Sequence, residues 1–90
     1  MVQAHIIFSG MVQGVGFRFT AQRYALGFGL KGWVKNLPNG SVEILIEGPK
    51  QRIEEFCRNI EDDFQEYIDN KDIQYVPAEK RFEDFRITYE

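Results

Sequence analysis

Apolar residues along this 90-residue chain recur with two different periods, and the switches between periods divide the chain into elements. Ala4 to Ser9 contains the run Ile6-Ile7-Phe8 and predicts a strand in the middle of a sheet. Phe17, Ala21, Tyr24, Ala25 and Phe28 then fall at i, i+4, i+7, i+8 and i+11, so a helix runs from about Arg18 to Leu26, with Gly27 and Gly29 as stop signals. Leu30 to Leu37 and Ser41 to Gly48 read as strands, and in the second Val42, Ile44 and Ile46 alternate with Glu43 and Glu47. Pro38-Asn39-Gly40 joins them as a hairpin: Pro sets the first turn position, and Asn-Gly supplies left-handed residues. After Gly48-Pro49 a second helix begins near Lys50. Its stripe is Ile53, Phe56, Cys57, Ile60, Phe64, Tyr67 and Ile68, with Glu54, Glu55, Glu61, Asp62, Asp63 and Glu66 turned to water. That acidic run reads as a solvated face and not a metal site, and Cys57 reads as a packed thiol. Asp72 to Val76 is a fourth strand and Pro77 to Glu83 a loop. Phe85, Ile87 and Tyr89, alternating with Arg86 and Thr88, make a last strand.

Two helices with one apolar stripe each must cover the same face of a largely antiparallel sheet. The expected fold is therefore α+β, a ferredoxin-like split βαβ sandwich (βαββαβ plus a short terminal strand), in a single domain over residues 1–90 without repeats or linkers. In that topology strands one and two are parallel with strand three between them. Their carboxyl ends share one edge, roughly 10 Å apart. Arg18 follows the first end and Asn36 lies near the second, so the two polar groups can flank one small pocket.

Composition narrows the setting. A chain that is 43% hydrophobic and 28% charged is ordinary for a globular protein, and no apolar run reaches the length of a membrane span. The N-terminus has no basic region followed by an apolar core, so a cytoplasmic location is expected. Cys57 is the only cysteine and His5 the only histidine, which excludes an internal disulfide and a zinc cluster. The net charge of −3 is unevenly spread. Residues 1–48 carry Arg18, Arg23, Lys31 and Lys35 against Glu43 and Glu47, whereas the remaining residues hold 7 cations and 12 carboxylates. The positive half suits a small anion better than a long nucleic acid.

The candidate chemistry lies in Gly10 to Phe19, Gly-Met-Val-Gln-Gly-Val-Gly-Phe-Arg-Phe, a strand-to-helix turn. Gly14 and Gly16 allow positive φ and close approach to a ligand, and the unpaired amides of a helix start favour an anion. Glycines alone would serve any tight turn. Arg18 adds more, because a cation beside a helix N-terminus opposes the helix field unless an anion lies between them. The mononucleotide loop needs Gly-Lys-Ser or Gly-Lys-Thr, and the dinucleotide fingerprint needs a third Gly where Phe19 stands, so neither applies. Trp33 reads as packing for the sheet and His5 as a half-exposed strand residue. Lys31 and Lys35 either keep strand two soluble or add to a field that draws anions in.

Gly10-Met-Val-Gln-Gly-Val-Gly-Phe-Arg18, Gly32-Trp-Val-Lys-Asn36, Asn39-Gly40-Ser-Val-Glu43 and the closing Phe85-Arg-Ile-Thr-Tyr89 together resemble the acylphosphatases, small hydrolases of acyl phosphates, over nearly the whole domain. The resemblance implies that Arg18 binds the phosphate, that Asn36 positions the attacking water, and that the loop of Gln13, Gly14, Val15, Gly16, Phe17 and Arg18 cradles the phosphate with its amides. It implies a metal-independent enzyme with no cofactor. The expected partners are an acyl phosphate and inorganic phosphate, with no nucleic acid and no membrane, and the expected state is a monomer. The chain departs from the family's usual pattern at Asn39-Gly40 and at Leu26-Gly27-Phe28-Gly29, a helix exit expected to be loose. Two rivals remain. One is a non-catalytic domain that holds a phosphorylated metabolite, against which the free length of ninety residues argues. The other is an RNA-binding ferredoxin-like domain, although its aromatic signature belongs on the third strand and not in this turn.

Overall fold

The computed structural model describes residues 1–78 and 81–89. Its elements are β1 (Val2–Gly10), α1 (Phe17–Gly27), β2 (Lys31–Asn36), β3 (Val42–Gly48), α2 (Lys50–Asp63), β4 (Ile68–Pro77) and β5 (Phe85–Thr88). The five strands form one sheet in the order β4-β1-β3-β2-β5. β1 and β2 each pair antiparallel with β3 and so run parallel to one another, as expected, while β5 pairs parallel with β2 at the sheet edge.

Strand alternation decides which side chains meet the helices. Ala4, Ile6 and Phe8 of β1, Val42, Ile44 and Ile46 of β3, and Val34 of β2 are fully buried, and with Phe17, Ala21 and Ala25 of α1 and Ile53, Phe56, Cys57 and Ile60 of α2 they form the core. Phe17 is its hinge point, with ring centroids 5.3 Å from Phe8 and 4.7 Å from Phe64. Burial pushes the Cys57 thiol up to about 11, which keeps it protonated and unreactive, as a packed thiol should be.

Three expectations change. The apolar stripe of α2 continues to Ile68, but the helix ends at Asp63: Phe64 and Tyr67 form a turn, and Ile68 opens β4. Glu61, Asp62 and Asp63 crowd the negative end of the helix dipole with no cation in the last turn, while Phe64 stays buried from the turn. β4 is therefore ten residues long instead of the five between Asp72 and Val76; its mostly exposed, charged sequence suits the sheet edge it occupies. The exit of α1 is closed, not loose. Gly29 takes φ 68°, its amide donates to Leu26 O at 3.2 Å, and Leu30 N–H donates to Ala25 O at 2.8 Å, a Schellman motif with Leu30 packed in the core. In the hairpin only Gly40 has positive φ. Gly40 N–H bonds Leu37 O and Leu37 N–H bonds Ser41 O, so the expected loop Pro38-Asn39-Gly40 forms with one left-handed residue instead of two. On the face opposite the helices Glu47 is buried and accepts a 3.0 Å hydrogen bond from Gln3.

One glycine is indispensable to this sheet. Gly32 has φ 137°, and a Cβ there would lie 1.9 Å from Leu45 O on β3. Gly32→Ala should cost at least about 3 kcal/mol through strain and backbone clash, read as a lower urea unfolding midpoint.

Candidate active site

Sheet register builds the site before any side chain is considered. Phe8 of β1 and Asn36 of β2 both lie opposite Val42 of β3, so they are level on either side of it, and β1 runs on two residues to Gly10. The chain leaving β1 and the last residue of β2 thus face the same end of the sheet. Asn36 follows Gly32 and Val34 on the helix-facing side, a polar residue closing an apolar row.

The loop from Met11 to Gly16 then carries the chain into α1. Gly14 and Gly16 have φ of 78° and 80°, and a Cβ at either would meet nothing within 4 Å. Glycine is required there for backbone conformation and not for space. Gly16 caps α1 without a side-chain hydrogen bond, and the first turn holds no acidic residue. The first intrahelical bond is Thr20 N–H to Gly16 O at 3.1 Å, so the amides of Phe17, Arg18 and Phe19 lie outside the ladder.

These parts close around a cavity of about 190 Å³ lined by Val12, Gln13, Gly14, Gly16, Phe17, Arg18, Phe19 and Asn36. Of the residues expected from sequence, Arg18 and Asn36 are brought together, with Gln13, Gly14, Gly16 and Phe17 beside them. Val15 is not among the lining residues; its half-buried side chain packs against the core. A hollow of about 490 Å³ beside Trp33 and Arg86 is larger, but the glycine loop does not reach it and Arg86 there is bound to Asp84 at 3.0 Å.

Polar bookkeeping distinguishes the small cavity. Asn36 Oδ1 is buried and has no hydrogen-bond partner among the described residues, a costly condition for a core-facing amide unless a water or ligand atom meets it. Among the described residues Arg18 has no carboxylate partner. Its guanidinium lies over the Tyr89 ring, 5.0 Å from the centroid. Arg18, the start of α1 with its amides outside the ladder, and Asn36 thus border one small cavity, which suits a tetrahedral oxyanion with a water beside it.

Two contributions were not read from the sequence. Gln13 was expected to offer its backbone amide, yet its side chain does structural work: Nε2 donates to Leu37 O at 2.8 Å and to Ser41 O at 2.9 Å, tying the glycine loop to the hairpin just beyond Asn36. Gln13→Ala should lower stability by about 1 to 2 kcal/mol and reduce kcat/KM by more than that loss explains at temperatures where the protein stays folded. Urea unfolding and initial rates on the same preparation separate the two effects. The second contribution is Tyr89, whose contact with Arg18 follows from β5 pairing with β2, a pairing that alternation alone does not specify.

Known proteins resemble this chain throughout. A family model described as Acylphosphatase matches residues 4–87. An acylphosphatase of Bacillus pumilus is 37% identical over 89 residues, covering 97% of this chain and 98% of its own. The crystal structure of acylphosphatase from Bacillus subtilis superposes with a TM-score of 0.91 at 34% identity, covering 99% of this chain and 100% of that one. T. kodakarensis HypF is matched at TM-score 0.84 and 32% identity over 12% of its length. The chain therefore belongs to the acylphosphatase family, hydrolases that split acyl phosphates into a carboxylate and phosphate.

Proposed function

We propose that Arg18 and Asn36 divide the hydrolysis between them, Arg18 binding the phosphoryl group and Asn36 placing the water. The observation that carries this reading is that Arg18 and Asn36, whose Oδ1 is buried without a partner among the described residues, line the same cavity. The phosphoryl group sits against the amides of the loop from Gln13 to Arg18, including Val15, and against the uncapped start of α1. The planar fork of Arg18 closes over two of its oxygens.

Leaving-group chemistry explains why so sparse a site suffices. The departing carboxylate has a conjugate acid with a pKa of roughly 4, so it leaves without a general acid and without a metal to stabilise it. What remains is to neutralise phosphoryl charge and to hold a water in line with phosphorus. Asn36 can orient that water by hydrogen bonding, but an amide is too weak a base to take its proton. A nonbridging phosphoryl oxygen of the substrate accepts it. The products are a carboxylate and inorganic phosphate.

We assign this activity to a monomeric single domain, acting on a small molecule in a reducing, cytoplasmic setting. The excess of negative charge, unsuited to nucleic acid, supports a small-molecule partner.

The deciding experiment is a crystal soaked with phosphate or sulfate. The anion is expected beside Gly14 and Gly16, in contact with Arg18, with an ordered water bonded to Asn36 Oδ1. An anion bound elsewhere, with Arg18 turned away from it, overturns the assignment.

A further inference from the structure

Arg18 is a long side chain at a site that must be ready for a small, short-lived ligand. A free guanidinium loses considerable rotamer freedom when it is fixed on a phosphate, and a contact that holds it beforehand in the binding conformation strengthens binding. Among the described residues it is not held by a carboxylate, which would also compete with the phosphate for its donors. It is held instead by an aromatic face, with the guanidinium carbon 5.0 Å from the centroid of Tyr89. A ring leaves the in-plane N–H donors of the fork free to bond an anion.

The fold delivers Tyr89 to this place. β5 pairs parallel with β2, Gly32 with Phe85 through Lys35 with Thr88, and continuing that register by one residue sets Tyr89 beside Asn36. Phe85, Ile87 and Tyr89 share the helix-facing side with Val34 and Asn36. Phe85 is buried and Ile87 half-buried, but Tyr89 is 75% exposed, so its ring contributes little to the core. An aromatic ring so exposed, yet in contact with the residue assigned to phosphate binding, calls for a role in the site.

We propose that Tyr89 is a positioning residue for the reaction, its ring serving as a platform that holds the Arg18 guanidinium ready for the phosphoryl group. The inference rests on the assignment of phosphate binding to Arg18. It adds that the terminal strand β5, remote in sequence from both motifs, completes the site.

The test compares Tyr89→Leu, which removes the ring, with Tyr89→Phe, which keeps it. The exposure of Tyr89 predicts that neither changes the urea unfolding midpoint. Tyr89→Leu should raise both KM for acetyl phosphate and the inhibition constant of inorganic phosphate about two- to fivefold, as loss of an exposed cation–π contact requires, and Tyr89→Phe should stay near the wild type. The Arg18 Nε–H signal gives a reading independent of activity: it should lose its ring-current shift in Tyr89→Leu and keep it in Tyr89→Phe. Unchanged phosphate inhibition in Tyr89→Leu overturns the proposal, as does a Tyr89→Phe variant as impaired as Tyr89→Leu, since that would assign the effect to the hydroxyl. Arg18→Ala serves as the control on the parent reading. If it loses phosphate inhibition while Tyr89→Leu does not, only the platform fails; if it keeps phosphate inhibition, the assignment of Arg18 fails and the platform with it.

Discussion

Arg18→Ala should reduce kcat/KM for an acyl phosphate by on the order of 10³-fold or more, the range seen when a phosphoryl-transfer site loses its arginine. It should weaken inhibition by inorganic phosphate as well. The two losses are coupled because the same fork meets the phosphoryl group in the ground state and, more strongly, as charge redistributes in the transition state. The folded state should not suffer. Arg18 is outside the buried core, has no ion-pair partner among the described residues, and sits in the first turn of α1, where a cation opposes the helix dipole. Its removal is therefore expected to leave the urea unfolding midpoint unchanged or slightly raised. Arg18→Lys should recover only part of the activity, since an ammonium supplies charge without the bidentate geometry. Initial rates of acetyl phosphate hydrolysis, phosphate inhibition and unfolding, measured on the three proteins, check all of this. Wild-type turnover in Arg18→Ala would remove this residue from the chemistry.

The parts of this molecule legible in its sequence are those where one local rule has no competitor. The stripe from Phe17 to Ala25 and the run Ile6-Ile7-Phe8 leave an arrangement that buries both, with β3 between β1 and β2 as the two-helix sandwich requires. The glycines at 14 and 16 announced positive φ, and both have it. Where two rules met, the weaker signal was obscured. At Phe64 and Ile68 helical spacing coincided with a turn and strand that bury the same side chains, so periodicity alone extended α2 too far. At Asn39-Gly40 the pair suggested two left-handed residues, but only Gly40 has positive φ, and Asn39 Oδ1 accepts from Ser41 N–H at 3.0 Å. The site was legible as two motifs because topology brings their ends together. The Gln13 strut and the Tyr89 contact were not, since both depend on tertiary neighbours that no spacing along the chain encodes.

Asn36→Ala should separate turnover from binding and stability, three properties that an ordinary core polar residue ties together. As a water-positioning group it acts on the nucleophile and not on the phosphate, so kcat is expected to fall on the order of 10²- to 10³-fold, as when one oriented polar group is removed from a preorganised site. The phosphate inhibition constant should move far less, because Arg18 and the loop amides remain. Stability should behave in the opposite sense. Oδ1 is buried without a partner, so truncation removes an unsatisfied polar atom and should leave the unfolding midpoint unchanged or raised, where deleting a satisfied amide would lower it. Asn36→Asp sharpens the distinction: it retains an acceptor for the water but places a negative charge beside the phosphoryl group, so KM should rise along with the fall in kcat. Equal losses of turnover and phosphate binding in Asn36→Ala would recast Asn36 as a phosphate ligand, and a lower unfolding midpoint would recast it as part of the scaffold. A large kcat effect with binding preserved and stability intact is the pattern that only a residue retained for the reacting water produces.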